Sequence, residues 1–434
     1  MTLQTPVADT LMNCRCCGSD NLMLFLPMGN HPPANMFVRP ADRDLPQPAF
    51  PLNAQSCLDC GLIQVADQIP AGFFEDYLYV PSGAITMHTH FAGLARVLEE
   101  KAQGGLIVDI GCNDGLMLGH AARNGARVLG IDPAANLSGL AEAQGVKVHV
   151  AYFGPATARI VRAKHGPAAV ISTTNTFNHI GNLHGFMEGI DILLDEEGVF
   201  VIEVPWAREI LNTDEFDNIY HEHMSELSLL SIVRLGQATG FSVVDVTKIP
   251  VHGGSMRVFL RRARLGDTPT PIVAEMIAEE KASGLTDAAS YRAFARRVEH
   301  IRTTLRARLA VLKAQGLTIA GYGAPAKGNT LLNYFGIGPE TLDYLVDRNP
   351  LKQGLLSPGQ LIPVLPPEVL AERKPDCLLV LAWNFFDEIR EQLADYEAAG
   401  GMFILPLTPE VTIGGPQSLP RAEGTTPAAA SAVR

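Results

Sequence analysis

Residues 216–223 read Phe-Asp-Asn-Ile-Tyr-His-Glu-His and set a phenol, two imidazoles and a carboxylate side by side. Tyr220, His221, Glu222 and His223 can move protons near neutral pH, the imidazoles most readily. On an extended chain residues two apart share a face, which would put Tyr220 with Glu222 and His221 with His223. Two histidines also suit a metal, but catalytic zinc needs a third ligand and an open position. Glu222 and Ser225 have a plainer use as caps for the helix that follows.

Four thiols are spaced for another task. Cys14-x-x-Cys17 and Cys57-x-x-Cys60 are each followed by glycine, Gly18 and Gly61. Tight turns of this kind aim two sulfurs at one point. Four thiolates complete a closed, structural zinc site. That accounts for one metal and leaves the histidines for proton chemistry. Cys16 falls between ligands; Cys112 and Cys377 read as core thiols.

The elements that must position these groups alternate. Runs 106–110, 128–131, 146–150, 168–172 and 199–204 read as buried strands, with helical stretches between most of them. That pattern implies an α/β fold with a parallel sheet covered on both faces. A helix over 228–239, stopped by Gly240, leads into an antiparallel edge hairpin over 241–249 and 255–262. The first strand runs into Val108-Asp109-Ile110-Gly111-Cys112-Asn113-Asp114-Gly115, whose Gly111, Asn113 and Gly115 let the backbone pass close to a ligand. Asp132 ends the second strand, placed to accept hydrogen bonds from a ribose. Residues 175–179 end the fourth, where cofactor and substrate would meet, with Asn175 and His179 as candidates. This glycine pattern is not the dinucleotide fingerprint. It resembles the first motif of class I S-adenosylmethionine methyltransferases.

A long helix over 288–315 leads to a second alternating block, with strands at 317–322, 342–346, 377–382 and 402–405. Residues 321–328 leave a strand and open a helix. Their N–H groups and Lys327 could hold a pyrophosphate. The alternative is a nucleotide fold retained as a wall.

The chain of 434 residues divides into a loop-rich module (1–75), a cofactor domain (76–265), a C-terminal α/β domain with a helical linker (266–415) and a low-complexity tail (416–434) expected to be disordered. A net charge of −12 speaks against nucleic-acid binding. Mean hydropathy is +0.12 and no apolar run reaches membrane-spanning length. With no secretory signal read, a cytoplasmic protein without membrane partners is expected, a monomer or weak homo-oligomer.

Combined, these motifs resemble the three-domain nucleotide-sugar C-methyltransferases, the tetronitrose C-methyltransferase group. The match rests on the cysteine pairs, residues 108–115 and 216–223, His252-Gly253-Gly254-Ser255-Met256-Arg257, residues 321–329, and Trp383-Asn384-Phe385. The resemblance implies a class I methyltransferase Rossmann-like domain between a zinc-binding module and a second Rossmann-like α/β domain. It implies S-adenosylmethionine as cofactor, held by Asp109, Gly111, Asn113, Gly115, Asp132 and Asn175. The substrate it implies is a nucleotide-diphospho-4-keto-6-deoxy sugar. Methyl transfer to carbon needs a base beside a carbonyl and a donor at the developing oxyanion. His223 would be the base, with Tyr220 and His179 at the oxyanion, Glu222 fixing the sugar, and Tyr77 and Tyr79 closing over the site. His252, Ser255, Arg257, Tyr322, Lys327 and Asn329 would contact substrate. O- or N-methylation of another metabolite, or a non-catalytic relative, are the competing readings.

Overall fold

The computed structural model describes residues 11–67, 80–83, 85–251 and 253–415. Tyr77, Tyr79, His252 and the tail from 416 lie outside the described residues.

The N-terminal module carries a sheet as well as the expected loops. Strands β1 (Leu22–His31), β2 (Phe50–Cys57) and β3 (Ile63–Val65) pair antiparallel. Pro27 and Gly29 break the alternation of β1, and its register with β2 shifts twice, so no clean two-residue period marks it.

The central sheet is built from β4 (Ile107–Ile110), β5 (Val128–Asp132), β6 (Val148–Val150), β7 (Ala168–Thr174) and β8 (Leu194–Pro205), all parallel. Their apolar runs are continuous because helices cover both faces. Ile107, Val108 and Val170 are fully buried, and each contributes about 1.5–3 kcal/mol. After β8 the chain leaves the sheet. The two-residue strand β9 (Ser225–Glu226) pairs with β3 of the first module instead. The hairpin β10 (Phe241–Ile249) and β11 (Ser255–Arg262) then closes the edge antiparallel against β8. The order is β10-β11-β8-β7-β4-β5-β6. Strand β4 therefore has β5 on one side and β7 on the other, with chain connections departing in opposite directions. A crevice at the carboxyl ends of such strands is where α/β sheets bind ligands.

The C-terminal block repeats the plan with β12 (Ile319–Tyr322), β13 (Leu345–Val346), β14 (Val364–Leu365), β15 (Cys377–Val380), β16 (Met402–Ile404) and antiparallel β17 (Thr412–Gly414). Helix Ala288–Ala314, capped by the Asp287 side chain, joins it to the rest. No described helix is long and apolar enough to cross a membrane.

The modules share cores. One runs from Cys16 and Leu62 through Leu227 and Leu229 to Phe177 and Phe200. Another joins Phe25 of β1 to Tyr291 and Phe294 of the long helix and on to Leu331 and Phe335. Phe216 and Ile219 of the octet belong to the second of these cores, and Leu227, just beyond the octet, to the first.

Candidate active site

A cleft of about 600 Å³ opens at the carboxyl ends of β4, β5 and β7. Asp109, Gly111, Asn113, Asp132, Asn175 and His179 line it, with Thr176, Phe153 and Met224. The glycine loop is held by Asp132, whose carboxylate accepts from Asn113 N and Ala134 N, both at 2.8 Å. Each carboxylate oxygen keeps a lone pair for a ligand hydroxyl. Gly111 sits at φ 78, and a Cβ there would lie 2.1 Å from Thr176 Oγ1. Gly115 has a different reason to be glycine. It is outside the lining, at φ 76, and a Cβ would meet Ala141 at 2.9 Å. Asn175 holds the left-handed φ of 51, and its buried Oδ1 has no hydrogen-bond partner among the described residues. Burial lifts the Asp109 carboxyl to about 7, against a 2.7 Å bond from the Ser172 hydroxyl. An orphaned acceptor, a carboxylate with spare lone pairs and a glycine-lined wall fit an adenosyl cofactor with its ribose and amino groups.

The octet is a turn, not an extended strand. Residues 216–218 form one turn of 3₁₀ helix, and His223 N donates to the Tyr220 carbonyl at 2.9 Å. That backbone bond brings Tyr220 and His223 together, where an extended chain would have put them on opposite faces. Their rings stack at 4.1 Å and 28°. His179, from the end of β7, meets the His223 ring edge-on at 5.0 Å.

Neighbouring modules grip the octet at several points. Phe216, fully buried, stacks on Phe335 at 5.0 Å, and Asp217 accepts from Trp383 Nε1 at 2.8 Å. His221, the member without a chemical assignment, donates from Nε2 to the Pro51 carbonyl at 3.0 Å. Burial pushes its imidazole down to about 4, so it is a neutral structural group. Glu222 turns to the N-terminal module, where Asn35 Nδ2 donates to it at 2.6 Å and Asn35 N at 3.2 Å. Burial raises this carboxyl to about 7. The following helix, Leu229–Thr239, is capped by Ser228 and Glu280, so Glu222 and Ser225 are not its caps.

The residue that sequence reasoning missed is Glu226. Its Oε1 lies 2.8 Å from His223 Nδ1, and the carboxylate is 1% exposed. The available signal was the three-residue spacing from His223, which in a turn brings two side chains together. Burial pushes the imidazole down, and the Lys327 ammonium adds to the effect; burial pushes the Glu226 carboxyl up. The His223 imidazole is therefore neutral at neutral pH.

The C-terminal block contributes Lys327. Its Nζ lies 4.0 Å from the Trp383 ring centre; burial pushes its pKa down, against the opposing charges of Asp217, Glu215 and Glu226. Other expected substrate contacts are committed elsewhere. Asn329 is fully buried and donates to the Ala34 carbonyl. Tyr322 packs into the core of the C-terminal sheet. Ser255 donates to the Val251 carbonyl and closes the hairpin turn. Arg257 is buried, with Nε and Nη2 each 2.7 Å from Glu203 Oε2, while His90 holds the other Glu203 oxygen. A lone pattern of polar residues cannot show the commitments of Asn329 and Arg257, whose partners lie 295 and 54 residues away.

The four Sγ atoms of Cys14, Cys17, Cys57 and Cys60 all lie within 4.8 Å of one another. Cys14–Cys60 and Cys17–Cys57 stand at 3.5 and 3.6 Å. Tetrahedral zinc with Zn–S bonds near 2.3 Å needs edges of about 3.8 Å, so the donor set fits.

The chain is similar to known proteins. A family model of the C-methyltransferase C-terminal domain matches residues 250–408, a methyltransferase domain matches 87–246, and a zinc binding domain matches 14–73. The C-methyltransferase NovU of Streptomyces niveus is 37% identical over 398 residues, covering 91% of this chain and 95% of its own. Among solved structures, the magnesium protoporphyrin IX methyltransferase of Synechocystis PCC 6803 with bound SAM aligns with 40% of this chain and 79% of its own, at 14% identity and TM-score 0.31. The CcbJ methyltransferase from Streptomyces caelestis aligns with 42% and 90%, at 10% identity and TM-score 0.33.

Proposed function

Since this chain belongs to the C-methyltransferase family, we propose that it methylates C-3 of a nucleotide-diphospho-4-keto-6-deoxy sugar by way of an enolate. The observation that carries this reading is the cluster at the mouth of the cofactor cleft: a buried, neutral imidazole stacked on a phenol, with a second imidazole at its edge. Methylating a heteroatom needs only a lone pair. Methylating carbon requires that the carbon first become nucleophilic, and this cluster is suited to that step.

The 4-ketone acidifies the C-3 hydrogen. His223 takes that proton on Nε2; the C–H electron pair moves into the enolate, and charge develops on the ketone oxygen. Tyr220 and His179 orient the ketone or donate to that oxygen; burial keeps the His179 imidazole neutral, and its ring is hydrogen-bonded to the Asn175 backbone. S-adenosylmethionine, when bound along residues 109–113, 132 and 175, supplies an electrophilic methyl group. The four-thiolate site holds zinc as a structural ion. Tyr77 and Tyr79 belong to the segment expected to close over the sugar.

Incubation with methyl-labelled donor and a 4-keto-6-deoxy sugar nucleotide should place the label on carbon. His223→Gln should lower turnover by about 10²–10⁴-fold, leave donor binding intact by calorimetry, and abolish deuterium exchange at C-3. Label on a heteroatom, or exchange that persists in the variant, would overturn the reading.

A further inference from the structure

We infer that Glu226 is a positioning residue for the base: its carboxylate fixes His223 with the proton on Nδ1, leaving the Nε2 lone pair to take the substrate proton, and it does so from a strand held by the zinc module. This deepens the proposed function and rests on it.

The geometry is direct. Nδ1 and Oε1 are 2.8 Å apart, and both side chains are nearly enclosed, at 11% and 1% exposure. An imidazole has two nitrogens, and whichever hydrogen-bonds to a carboxylate carries the proton. With Nδ1–H donated to Glu226, Nε2 is the basic atom. When Nε2 takes a proton the ring becomes an imidazolium, and the carboxylate beside Nδ1 stabilises it. The same division of labour operates in hydrolytic triads built on unrelated folds.

A buried carboxylate is costly unless its oxygens are satisfied. Glu226 Oε2 has no hydrogen-bond partner among the described residues. A residue retained only to fill space would not need a charge there. The Asn218 backbone also hydrogen-bonds to the His223 ring. Burial pushes the Glu226 carboxyl up; Lys327, approaching from the C-terminal block, opposes that shift and favours the ionised form. Tyr220 and His179 face the imidazole ring. Glu215 and Asp217 face Lys327, as Glu226 does.

The strand is the second part of the inference. Glu226 pairs with Ile63 and Ser225 with Gln64, three and four residues beyond the ligand Cys60. Met224 O accepts from Val65 N at 3.1 Å and from the Arg15 guanidinium. Arg15 lies between Cys14 and Cys17. Both zinc knuckles therefore touch the backbone that carries Glu226. The carboxylate is fixed by a module that, among the described residues, is seen to touch this backbone rather than the base.

The test compares Glu226→Gln and Glu226→Asp with wild type. For Glu226→Gln, kcat should fall by about 10²–10⁴-fold, while KM and donor binding change less than threefold. The acid limb of kcat/KM should move to lower pH, because the imidazolium loses its partner. Glu226→Asp should recover part of the rate. Near-normal kcat in Glu226→Gln, or a lower rate with an unmoved pH profile and no recovery in Asp, would overturn the inference. If Glu226→Gln fails to fold, wild-type protein still decides. A strongly downfield Nδ1–H proton resonance that is absent in His223→Gln supports the pair, and its absence from wild type refutes it. Label found on a heteroatom would sink the proposed function while leaving the pH profile and the downfield resonance to judge the pair.

Discussion

Two glycine loops in this molecule are built to the same plan and used differently. One follows β4 and the other follows β12. Each leaves the middle of a parallel sheet, turns on a glycine with positive φ (Gly111 at 78, Gly323 at 87) and opens a helix. Each is tied by an aspartate at the end of the next strand. Asp132 accepts from Asn113 N and Ala134 N; Asp347 accepts from Ala324 N and Asn349 N, at 2.7 and 2.8 Å. The first loop opens on the 600 Å³ cleft. The second is filled from within. Lys352 is buried and its Nζ donates to the Ala324 carbonyl at 2.8 Å. A Cβ on Gly323 would lie 2.7 Å from Ala382, and one on Gly328 would lie 2.8 Å from Leu381. The strand–loop–helix–aspartate frame is thus an anchor first. It becomes a ligand site only where side chains leave room. In the second block the loop's reach is spent on Lys327, which is sent across to the octet.

The comparison can be broken most forcefully at the turn glycines. Gly111→Ala combines a strained φ with overlap on Thr176, and donor affinity should fall roughly 100-fold or more. Gly323→Ala carries similar strain and should lower the melting temperature without changing donor affinity. Calorimetry on both variants decides; equal losses of binding would mean the second loop also serves the cofactor. Next come the two lysines. Lys327→Met should cut kcat roughly tenfold or more, equivalent to about 1.4 kcal/mol per factor of ten, with little loss of stability. Lys352→Met leaves the Ala324 carbonyl and Asp347 without their partner and should cost about 1–3 kcal/mol of stability, with kcat per folded molecule unchanged. Urea titrations and initial rates on the pair test this exchange of roles.

The smallest effect concerns pH. Two residues before the turn glycine, the first block carries buried Asp109 and the second carries Gly321. Asp109 is raised from 3.8 to about 7 by burial. The native state then holds a proton that the unfolded chain releases between those values. Its contribution to stability is therefore fully present below pH 3.8 and declines as pH rises toward 7. Asp109→Asn should remove this slope from the stability profile between about pH 5 and 7.5. An unchanged slope would show that Asp109 is ionised in the native protein.

Much of this frame was legible in the chain. The cysteine pairs, the first glycine loop, the edge hairpin and the long helix each have local signatures: fixed spacing, a strand running into glycine, or periodic apolar residues. What escaped depends on distant partners. Strand β9 has two residues and therefore no period, and it exists because β3 lies beside it. The octet was legible as chemistry but not as a turn, so the Tyr220–His223 stack and the Glu226 contact were hidden. The second loop looked open because Lys352, which fills it, lies 25 residues beyond Lys327 in the chain. Asn329, Tyr322, Ser255 and Arg257 have polar groups suited to a ligand, and the protein contacts each also makes were not legible in the chain.

The bond from Trp383 to Asp217 spans 166 residues. Chains emerge from a ribosome at about 5–20 residues per second, so the octet leaves synthesis on the order of ten seconds or more before its last clamp exists. Its pairing with the first module, by contrast, is available at once, because β3 is made earlier. The octet's partner strand is thus already made when the octet emerges, whereas Phe335 and Trp383, which close on Phe216 and Asp217, come only with the C-terminal block.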